Sequence, residues 1–203
     1  MIPCQRSLFS IPSDVVYLNT AYMSPLMTSV VDAVNYGAKL KATPWDITIS
    51  DFFENSELAR NLFADIVNVS SKNIALVPSA SYGLETAAKN LRVGNGRSVV
   101  ILENQFPSHV YPWQRLVKET GGKLIKVKEK QDRNLTELVL EFIDEQCAIV
   151  AVPNVLWTKG LMIDLISISQ RCKEVGAALV LDLTQSVGAM NTDLGKIDPD
   201  FAV

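Results

Sequence analysis

The hydrophobic pattern of the chain changes character near residue 73. Before it, apolar residues recur at helical spacing in two stretches, which predicts two amphipathic helices. After it, short runs of consecutive apolar residues alternate with helical stretches. Such runs indicate strands covered on both faces, as in a buried and mostly parallel sheet. We therefore predict an α/β fold, a three-layer sandwich with a mostly parallel sheet, preceded by an N-terminal arm and helices.

Capping residues give the expected starts of the two upstream helices. Ser24 followed by Pro25 is typical of a helix start, and Ser50 favours the start of the second helix. Each helix is expected to bury one apolar face. The residues of the two faces are Leu26, Val30, Ala33, Val34 and Gly37 in the first helix, and Phe52, Ala59, Leu62, Phe63 and Ile66 in the second.

Strands are predicted throughout the downstream region, and the last of them begins at the end of the chain. Gly121 and Gly176 are expected to end helices, because glycine readily adopts the left-handed conformation found there. We place the arm and helices in residues 1–70 and a cofactor-binding large domain in residues 71–203. The predicted strands are 74–77, 98–102, 124–127, 147–152, 178–181 and 201–203.

Composition and sequence argue against several kinds of binding partner. The 203-residue chain is 48% hydrophobic with a net charge of −3, and no block of Lys and Arg suggests a nucleic-acid partner. No signal peptide opens the chain and no apolar run reaches membrane-spanning length, so we expect a cytoplasmic protein without a membrane partner. Cys4, Cys147 and Cys172 are expected to be buried free thiols. The only histidine, His109, excludes a multi-histidine metal site.

Candidate chemistry lies at the strand ends, where open α/β sheets bind ligands. Ser79, Ala80 and Ser81 open a helix after the strand at 74–77, and small residues at a helix N-terminus suit one phosphate group. Phe106 follows the next strand, where a phenyl ring can stack on a flat heteroaromatic ligand. Each feature has a structural alternative: an N-cap serine in a tight turn, or a core phenylalanine.

Asp182 stands at the mouth of the strand at 178–181, where a buried carboxylate needs a partner. Asn154 follows another strand and offers an amide, and Gln185 lies three residues after Asp182. Taken singly, Asn154 also fits a turn residue, Asp182 a cap of the next turn and Gln185 a surface residue. Together the strand ends match pyridoxal phosphate, because a carboxylate keeps its ring nitrogen protonated. A dinucleotide would need a longer phosphate site, and metal-dependent hydrolysis would need a denser cluster of ligands.

These stretches resemble the N-terminal half of fold-type I pyridoxal-phosphate enzymes, in the class V aminotransferase family. That family includes cysteine desulfurases, isopenicillin N epimerase and kynureninase-like enzymes. The resemblance covers nearly the whole chain. The similar segments are Tyr17-Leu18-Asn19-Thr20-Ala21 through Pro25-Leu26, Ser79-Ala80-Ser81, Phe106-Pro107-Ser108 through Pro112-Trp113, Asp182-x-x-Gln185-Ser186-x-Gly188-Ala189, and Asp200-Phe201-Ala202-Val203.

The resemblance implies roles for the candidate residues. Residues 79–81 hold the cofactor phosphate, Phe106 stacks on the ring, Asp182 pairs with the ring nitrogen and Gln185 lies near the ring hydroxyl. It also implies an amino-acid substrate, a homodimer with active sites near the subunit interface, and a Schiff-base lysine beyond Val203. No catalytic residue is therefore assigned within the chain. The strand at 74–77 is expected to border a gap in the sheet, because its neighbour in the family comes late in the chain.

Two departures from the family pattern define the alternatives. Phe106 stands where cysteine desulfurases usually carry a histidine, which favours aminotransferase-, epimerase- or kynureninase-like relatives. Lys196 precedes the last strand in a turn and is not assigned the Schiff-base role. The sequence therefore predicts the cofactor-binding portion of a class V enzyme acting on an amino acid. The alternatives are a cysteine desulfurase or selenocysteine lyase, and a catalytically inert truncated domain.

Overall fold

The computed structural model describes residues 3–20 and 22–203. It divides into two compact units, Met1–Leu58 and Ala59–Val203. The domain boundary that the sequence places at residue 70 stays a prediction. Within the described residues, no helix is long and apolar enough to cross a membrane.

Helices and strands alternate from residue 80 onward. The helices are α1 (Thr28–Leu40), α2 (Glu54–Val67), α3 (Ala80–Asn90), α4 (Tyr111–Thr120), α5 (Leu135–Leu140), α6 (Leu165–Val175) and α7 (Leu194–Ile197). The strands are β1 (Ser98–Leu102), β2 (Lys123–Val127), β3 (Cys147–Pro153), β4 (Ala178–Asp182) and β5 (Phe201–Ala202). Short 3₁₀ turns lie at Arg6–Leu8, Pro44–Asp46, Ser50–Phe52, Ser71–Asn73 and Pro107–His109.

In the described chain, five parallel strands form one sheet in the order β2-β1-β3-β4-β5. The central strands β1 and β3 are buried along their whole length, which explains their continuous apolar sequence. Successive side chains of a strand point to opposite faces of the sheet. A buried sheet of this kind therefore needs an apolar layer on each face.

Two hydrophobic clusters supply these layers. One face of the sheet, with Val100, Val150 and Leu181, packs with residues of α5, α6 and α7. The opposite face, with Val99 and Ile149, packs with residues of α3 and α4. The sandwich predicted from the sequence is therefore confirmed: helices cover both faces of a parallel sheet.

The helix ends follow the capping residues of the sequence. Gly121 and Gly176 adopt the left-handed conformation after α4 and α6, as predicted. Asn134 and Asp164 accept hydrogen bonds from amides in the first turns of α5 and α6. These caps satisfy backbone groups that the helices cannot pair internally.

The strand predicted at 74–77 is wrong. These residues carry no regular secondary structure, and Leu76 and Val77 are exposed. A strand requires a neighbour to accept and donate its backbone hydrogen bonds, and no described strand lies beside this segment. Residues 74–77 therefore do not form the strand expected at the border of a sheet gap.

The upstream helices also differ from the prediction. The first begins at Thr28 rather than at Ser24-Pro25, and Ser50 lies in a 3₁₀ turn before α2. The predicted apolar faces are not buried, and α2 buries Ala64 and Val67 instead. The large exposed members of those faces are Leu26, Val30, Val34, Phe52, Leu62, Phe63 and Ile66.

The cysteine prediction holds in part. Cys147 and Cys172 are buried free thiols, but Cys4 is exposed, so its predicted burial is wrong. Burial raises the pKa of Cys147 to about 11 and that of Cys172 to about 12. Both buried thiols are therefore protonated at neutral pH, which makes them poor nucleophiles.

The last residue of the chain packs closely against α3. A Cβ atom added at Gly83 would lie 2.5 Å from Cγ1 of Val203. Leu183, directly after β4, donates its amide to the Val203 carbonyl at 2.7 Å. The small size of Gly83 therefore lets the first turn of α3 approach the chain just beyond β5.

We predict that Gly83→Ala destabilises the protein by about 1–2 kcal/mol, because the added methyl overfills this contact. Urea unfolding measures the loss. In a Val203→Ala background the same change should be neutral or stabilising, since alanine favours helix and the clash is gone. Gly37→Ala is the control, because no heavy atom lies within 4 Å of a Cβ there. Equal effects of Gly83→Ala in both backgrounds would contradict the packing described.

Candidate functional site

The carboxyl ends of β1, β3 and β4 meet at one edge of the parallel sheet. In the pairing of β3 with β4, Pro153 lies opposite Asp182. The amide of Asn154 donates to the Asp182 carbonyl at 3.3 Å. The sheet therefore brings the loops that carry Phe106, Asn154 and Asp182 to the same edge, as the sequence predicts.

Asp182 presents its two carboxylate oxygens to different surroundings. The residue is 6% exposed. Its Oδ1 accepts from the Thr184 amide at 3.1 Å and from the Thr184 hydroxyl at 2.6 Å. Its Oδ2 lies 3.8 Å from Nδ1 of His109, beyond hydrogen-bond distance. Among the described residues, Oδ2 thus has no close donor and can accept one from a ligand.

The charge of this carboxylate follows from its neighbours. Burial alone would raise the pKa of Asp182, but His109 and the Thr184 hydroxyl and amide stabilise the ionised form. The pKa therefore lies below its ordinary value of 3.8. Asp182 is an anion at neutral pH, which is the state needed to pair with a cationic ring nitrogen.

The N-terminus of α3 offers donors for an anion. Ser79 is the N-cap, and its hydroxyl oxygen accepts from the Tyr82 amide at 3.1 Å. Its carbonyl accepts from the amides of Tyr82 and Gly83. Within the described part of the chain, the amides of Ala80 and Ser81 find no protein acceptor. The structural alternative for Ser79, a helix cap, is thus correct, yet a hydroxyl that accepts one bond can still donate another.

This helix start lies near the same sheet edge. Gly83, in the first turn of α3, approaches Val203, and Val203 is hydrogen-bonded to Leu183, the residue after Asp182. Helix α3 also packs against the 3₁₀ turn Pro107–His109. Residues 79–81 therefore lie near the edge of the sheet that carries Asp182, and their role toward a phosphate stays a prediction.

The ring of Phe106 contacts a second aromatic residue, Trp157, that was not predicted from the sequence. The rings of Phe106 and Trp157 are nearly perpendicular, at 83°, with centroids 5.5 Å apart. The indole nitrogen of Trp157 donates to the Asn104 carbonyl at 2.8 Å, which fixes the indole over the loop after β1. Phe106 is still 39% exposed, so part of its ring remains available to a ligand.

The structure does not assign Asn154 or Gln185 to the site. The Asn154 side chain donates to the Ile163 carbonyl at 3.1 Å and so closes the loop between β3 and α6. That contact is the turn chemistry of the structural alternative, although the amide keeps a second hydrogen and an oxygen. Gln185 is half-buried in the turn after β4. Their roles toward a ligand stay predictions.

Two further site residues were missed as participants. Thr184 supplies both donors to Asp182, and the buried His109 faces the other carboxylate oxygen. The position of Thr184 two residues after a buried aspartate is a signal in the sequence, because an Asx turn commonly forms there. The contact between His109 and Asp182 joins residues that are far apart in the sequence, so no local sequence pattern predicts it.

The sequence profile of the aminotransferase class-V family matches residues 16–203. The chain therefore belongs to the aminotransferase class-V family. The cofactor expected from the sequence, pyridoxal phosphate, is thereby confirmed as the cofactor of the family.

Curated relatives include two probable cysteine desulfurases. The Pyrococcus abyssi protein is 31% identical over 147 residues, which cover 71% of this chain and 37% of the relative. The Methanothermobacter thermautotrophicus protein is 29% identical over 195 residues, covering 93% of this chain and 48% of the relative. The chain thus spans about half or less of the length of these relatives.

A solved structure gives the same fold. It is a lysine-to-alanine mutant of the cystine C–S lyase C-DES, with glycine covalently linked to its PLP cofactor. The match has a TM-score of 0.85 at 17% identity and covers 98% of this chain and 55% of that chain. The prediction of a fold-type I large domain, present in part, is therefore confirmed.

We predict that Thr184→Val removes about 1–2 kcal/mol of stability at neutral pH, because Asp182 loses a hydroxyl donor. A carboxylate whose folded pKa is lowered contributes stability above its unfolded pKa, and this contribution is lost as pH falls through the folded value. The difference between wild type and variant should therefore shrink as pH falls below 3.8. Urea unfolding across this range measures it.

Thr86→Val is the matched control, because the Thr86 hydroxyl donates to the Tyr82 carbonyl and not to a carboxylate. Its effect on unfolding should not depend on pH. A pH-independent loss for Thr184→Val as well would show that the Asp182 charge does not depend on the hydroxyl.

Proposed function

We propose that the chain is the cofactor-binding portion of a pyridoxal-phosphate-dependent enzyme that acts on an amino acid. The single observation that supports this most is the Asp182 carboxylate: buried, ionised, and with Oδ2 lacking a close donor among the described residues. A protonated pyridine nitrogen supplies one N–H donor and one positive charge, which is what this oxygen lacks. We further propose homodimeric assembly, as the resemblance implies, and a cytoplasmic location, as expected from the sequence.

The remaining residues fit the other parts of the cofactor. The unpaired amides of Ala80 and Ser81 point to a phosphate at the start of α3, where the helix dipole favours an anion. Phe106, held by Trp157, offers a partly exposed ring to one side of the pyridine. Asn154 and Gln185 are proposed to contact the polar substituents of the ring or the substrate.

Pyridoxal phosphate supplies an electron sink for bonds at the amino-acid α-carbon when its ring nitrogen is protonated. The contribution of this chain is to keep that proton in place. Asp182 holds a negative charge against the ring nitrogen, and Thr184 keeps the carboxylate ionised and oriented. The donors at the start of α3 would hold the phosphate end of the cofactor.

Cysteine desulfurase activity is the second candidate, because probable cysteine desulfurases are among the relatives. Such chemistry needs a reactive cysteine. The buried Cys147 and Cys172 have raised pKa values that keep them protonated, so we would expect a cysteine other than these two to serve. Phe106 also stands where desulfurases usually carry a histidine. Release of sulfide from cysteine by the complete protein distinguishes this candidate from other amino-acid chemistry.

The test of the proposed function is binding of deoxypyridoxine phosphate, the methyl analogue of pyridoxal phosphate that has no aldehyde. This ligand cannot form a Schiff base, so surface lysines add no signal. We expect wild-type protein to bind it and Asp182→Ala to bind at least tenfold more weakly, since about 1.5–3 kcal/mol accompanies a hydrogen bond to a charged group. Calorimetric titration measures both affinities.

Asp144→Ala is the matched control. Asp144 also accepts a backbone amide, from Gln146, but it precedes β3 and so lies at the opposite edge of the sheet. Its replacement should leave the affinity unchanged. Equal affinities for wild type and Asp182→Ala would remove Asp182 from the cofactor site, and absence of binding by wild type would favour the inert-domain alternative.

A further inference from the structure

His109 is a buried polar residue to which the proposed function assigns no part. It ends the 3₁₀ turn after β1, and its exposed fraction is 0%. Neither ring nitrogen has a hydrogen-bond partner among the described residues. A buried donor or acceptor without a partner destabilises the fold. A core position of this kind would be filled at lower cost by an apolar side chain of similar size.

The surroundings of the imidazole point its Nδ1 at one atom. One neighbour is the ring of Trp113, whose centroid is 6.3 Å away at a tilt of 50°. The other is Oδ2 of Asp182, 3.8 Å from Nδ1. A shift of less than 1 Å would bring this pair within the usual 2.7–3.2 Å range for N–H···O bonds. The imidazole Nδ1 therefore faces the oxygen that we assign to the cofactor.

The two oxygens of Asp182 are constrained unequally. Thr184 fixes Oδ1 with two donors, whereas Oδ2 has none at hydrogen-bond distance. Each carboxylate oxygen has two lone pairs, so Oδ2 can accept from an imidazole and from a pyridinium together. Thr184 holds only Oδ1. An imidazole donor on Oδ2 would hold the second oxygen as well and so keep the carboxylate in one orientation.

We propose that His109 is a positioning residue that acts on the cofactor through Asp182, by donating its Nδ1 hydrogen to Oδ2 of that carboxylate. This inference rests on the proposed function, because it assumes that Oδ2 receives the ring nitrogen. His109 does not touch the cofactor in this arrangement. It fixes the direction and the charge of the group that does.

Replacement by leucine and by asparagine separates this role from a packing role. His109→Leu fills the apolar surroundings without a donor. His109→Asn places an amide N–H close to the position of Nδ1 and so restores the donor. If the donor matters, asparagine rescues what leucine loses, whereas a packing role predicts the opposite order because leucine suits a buried site better.

The titration uses two ligands that differ at one ring atom: deoxypyridoxine phosphate and its analogue with C–H in place of the ring nitrogen. Wild type should prefer the pyridine ligand. His109→Leu should lose about tenfold of that preference, while its affinity for the carbon analogue stays unchanged because the phosphate and stacking contacts remain. His109→Asn should keep most of the preference. A leucine variant with the full preference, or one that weakens both ligands equally, would overturn the proposal.

A second readout needs no ligand. Because His109 is the only histidine, nitrogen NMR of the imidazole-labelled protein gives a single pair of ring signals. Wild type should carry its hydrogen on Nδ1, and Asp182→Ala should shift the population toward the other tautomer. An unprotonated Nδ1 in wild type would overturn the inference while leaving the proposed function intact. Failure of wild type to prefer the pyridine ligand would instead overturn the proposed function and the inference with it.

Discussion

The buried charge of Asp182 is the constraint on which the candidate site depends. Removing a carboxylate from water costs several kcal/mol unless other groups compensate it. Burial raises the pKa of Asp182, but His109 and the two Thr184 donors to Oδ1 stabilise the ionised form and bring the pKa below its ordinary value. Oδ2 is left facing His109 and the open edge of the sheet. A buried carboxylate with one oxygen that lacks a close donor is suited to a cationic ligand.

The parallel sheet places the other groups around that anion. Since β1, β3 and β4 run in the same direction, their loops leave the sheet together. Two apolar layers hold these strands in register, and the layer formed by α3 and α4 also carries the helix start proposed for the phosphate. The contact of Gly83 with Val203 draws that helix start toward the loop after β4. The packing of Gly83 against Val203 thus sets how close the proposed phosphate and ring-nitrogen contacts lie.

The features predictable from the sequence were those set by local chemistry. The strands of the sheet follow from consecutive apolar residues, and the ends of α4 and α6 follow from Gly121 and Gly176. The strand at 74–77 failed because apolar residues satisfy only one requirement of a strand, and the other is a hydrogen-bonding neighbour. The apolar faces of α1 and α2 failed for a related reason. Helical periodicity indicates that one face of a helix favours burial. It does not show that another element of the described chain packs against that face.

The site shows the same division. Asp182 and Phe106 were predictable because Asp182 ends β4 and Phe106 lies in the loop after β1, and the sheet geometry then brings these loops together. The contacts of Phe106 with Trp157 and of Asp182 with His109 were not, since each joins side chains on different loops whose approach depends on the packed fold. The burial of His109 was equally hidden, because a histidine in a polar loop normally remains near water.

The most direct test of the account is the protonation state of the cofactor nitrogen in the bound state. Pyridoxal phosphate labelled at its ring nitrogen reports this by NMR when bound to the protein. We expect a protonated pyridinium at neutral pH that becomes a neutral pyridine when Asp182 is replaced by alanine. A neutral ring nitrogen in the wild-type complex would contradict the central role given to the Asp182 carboxylate.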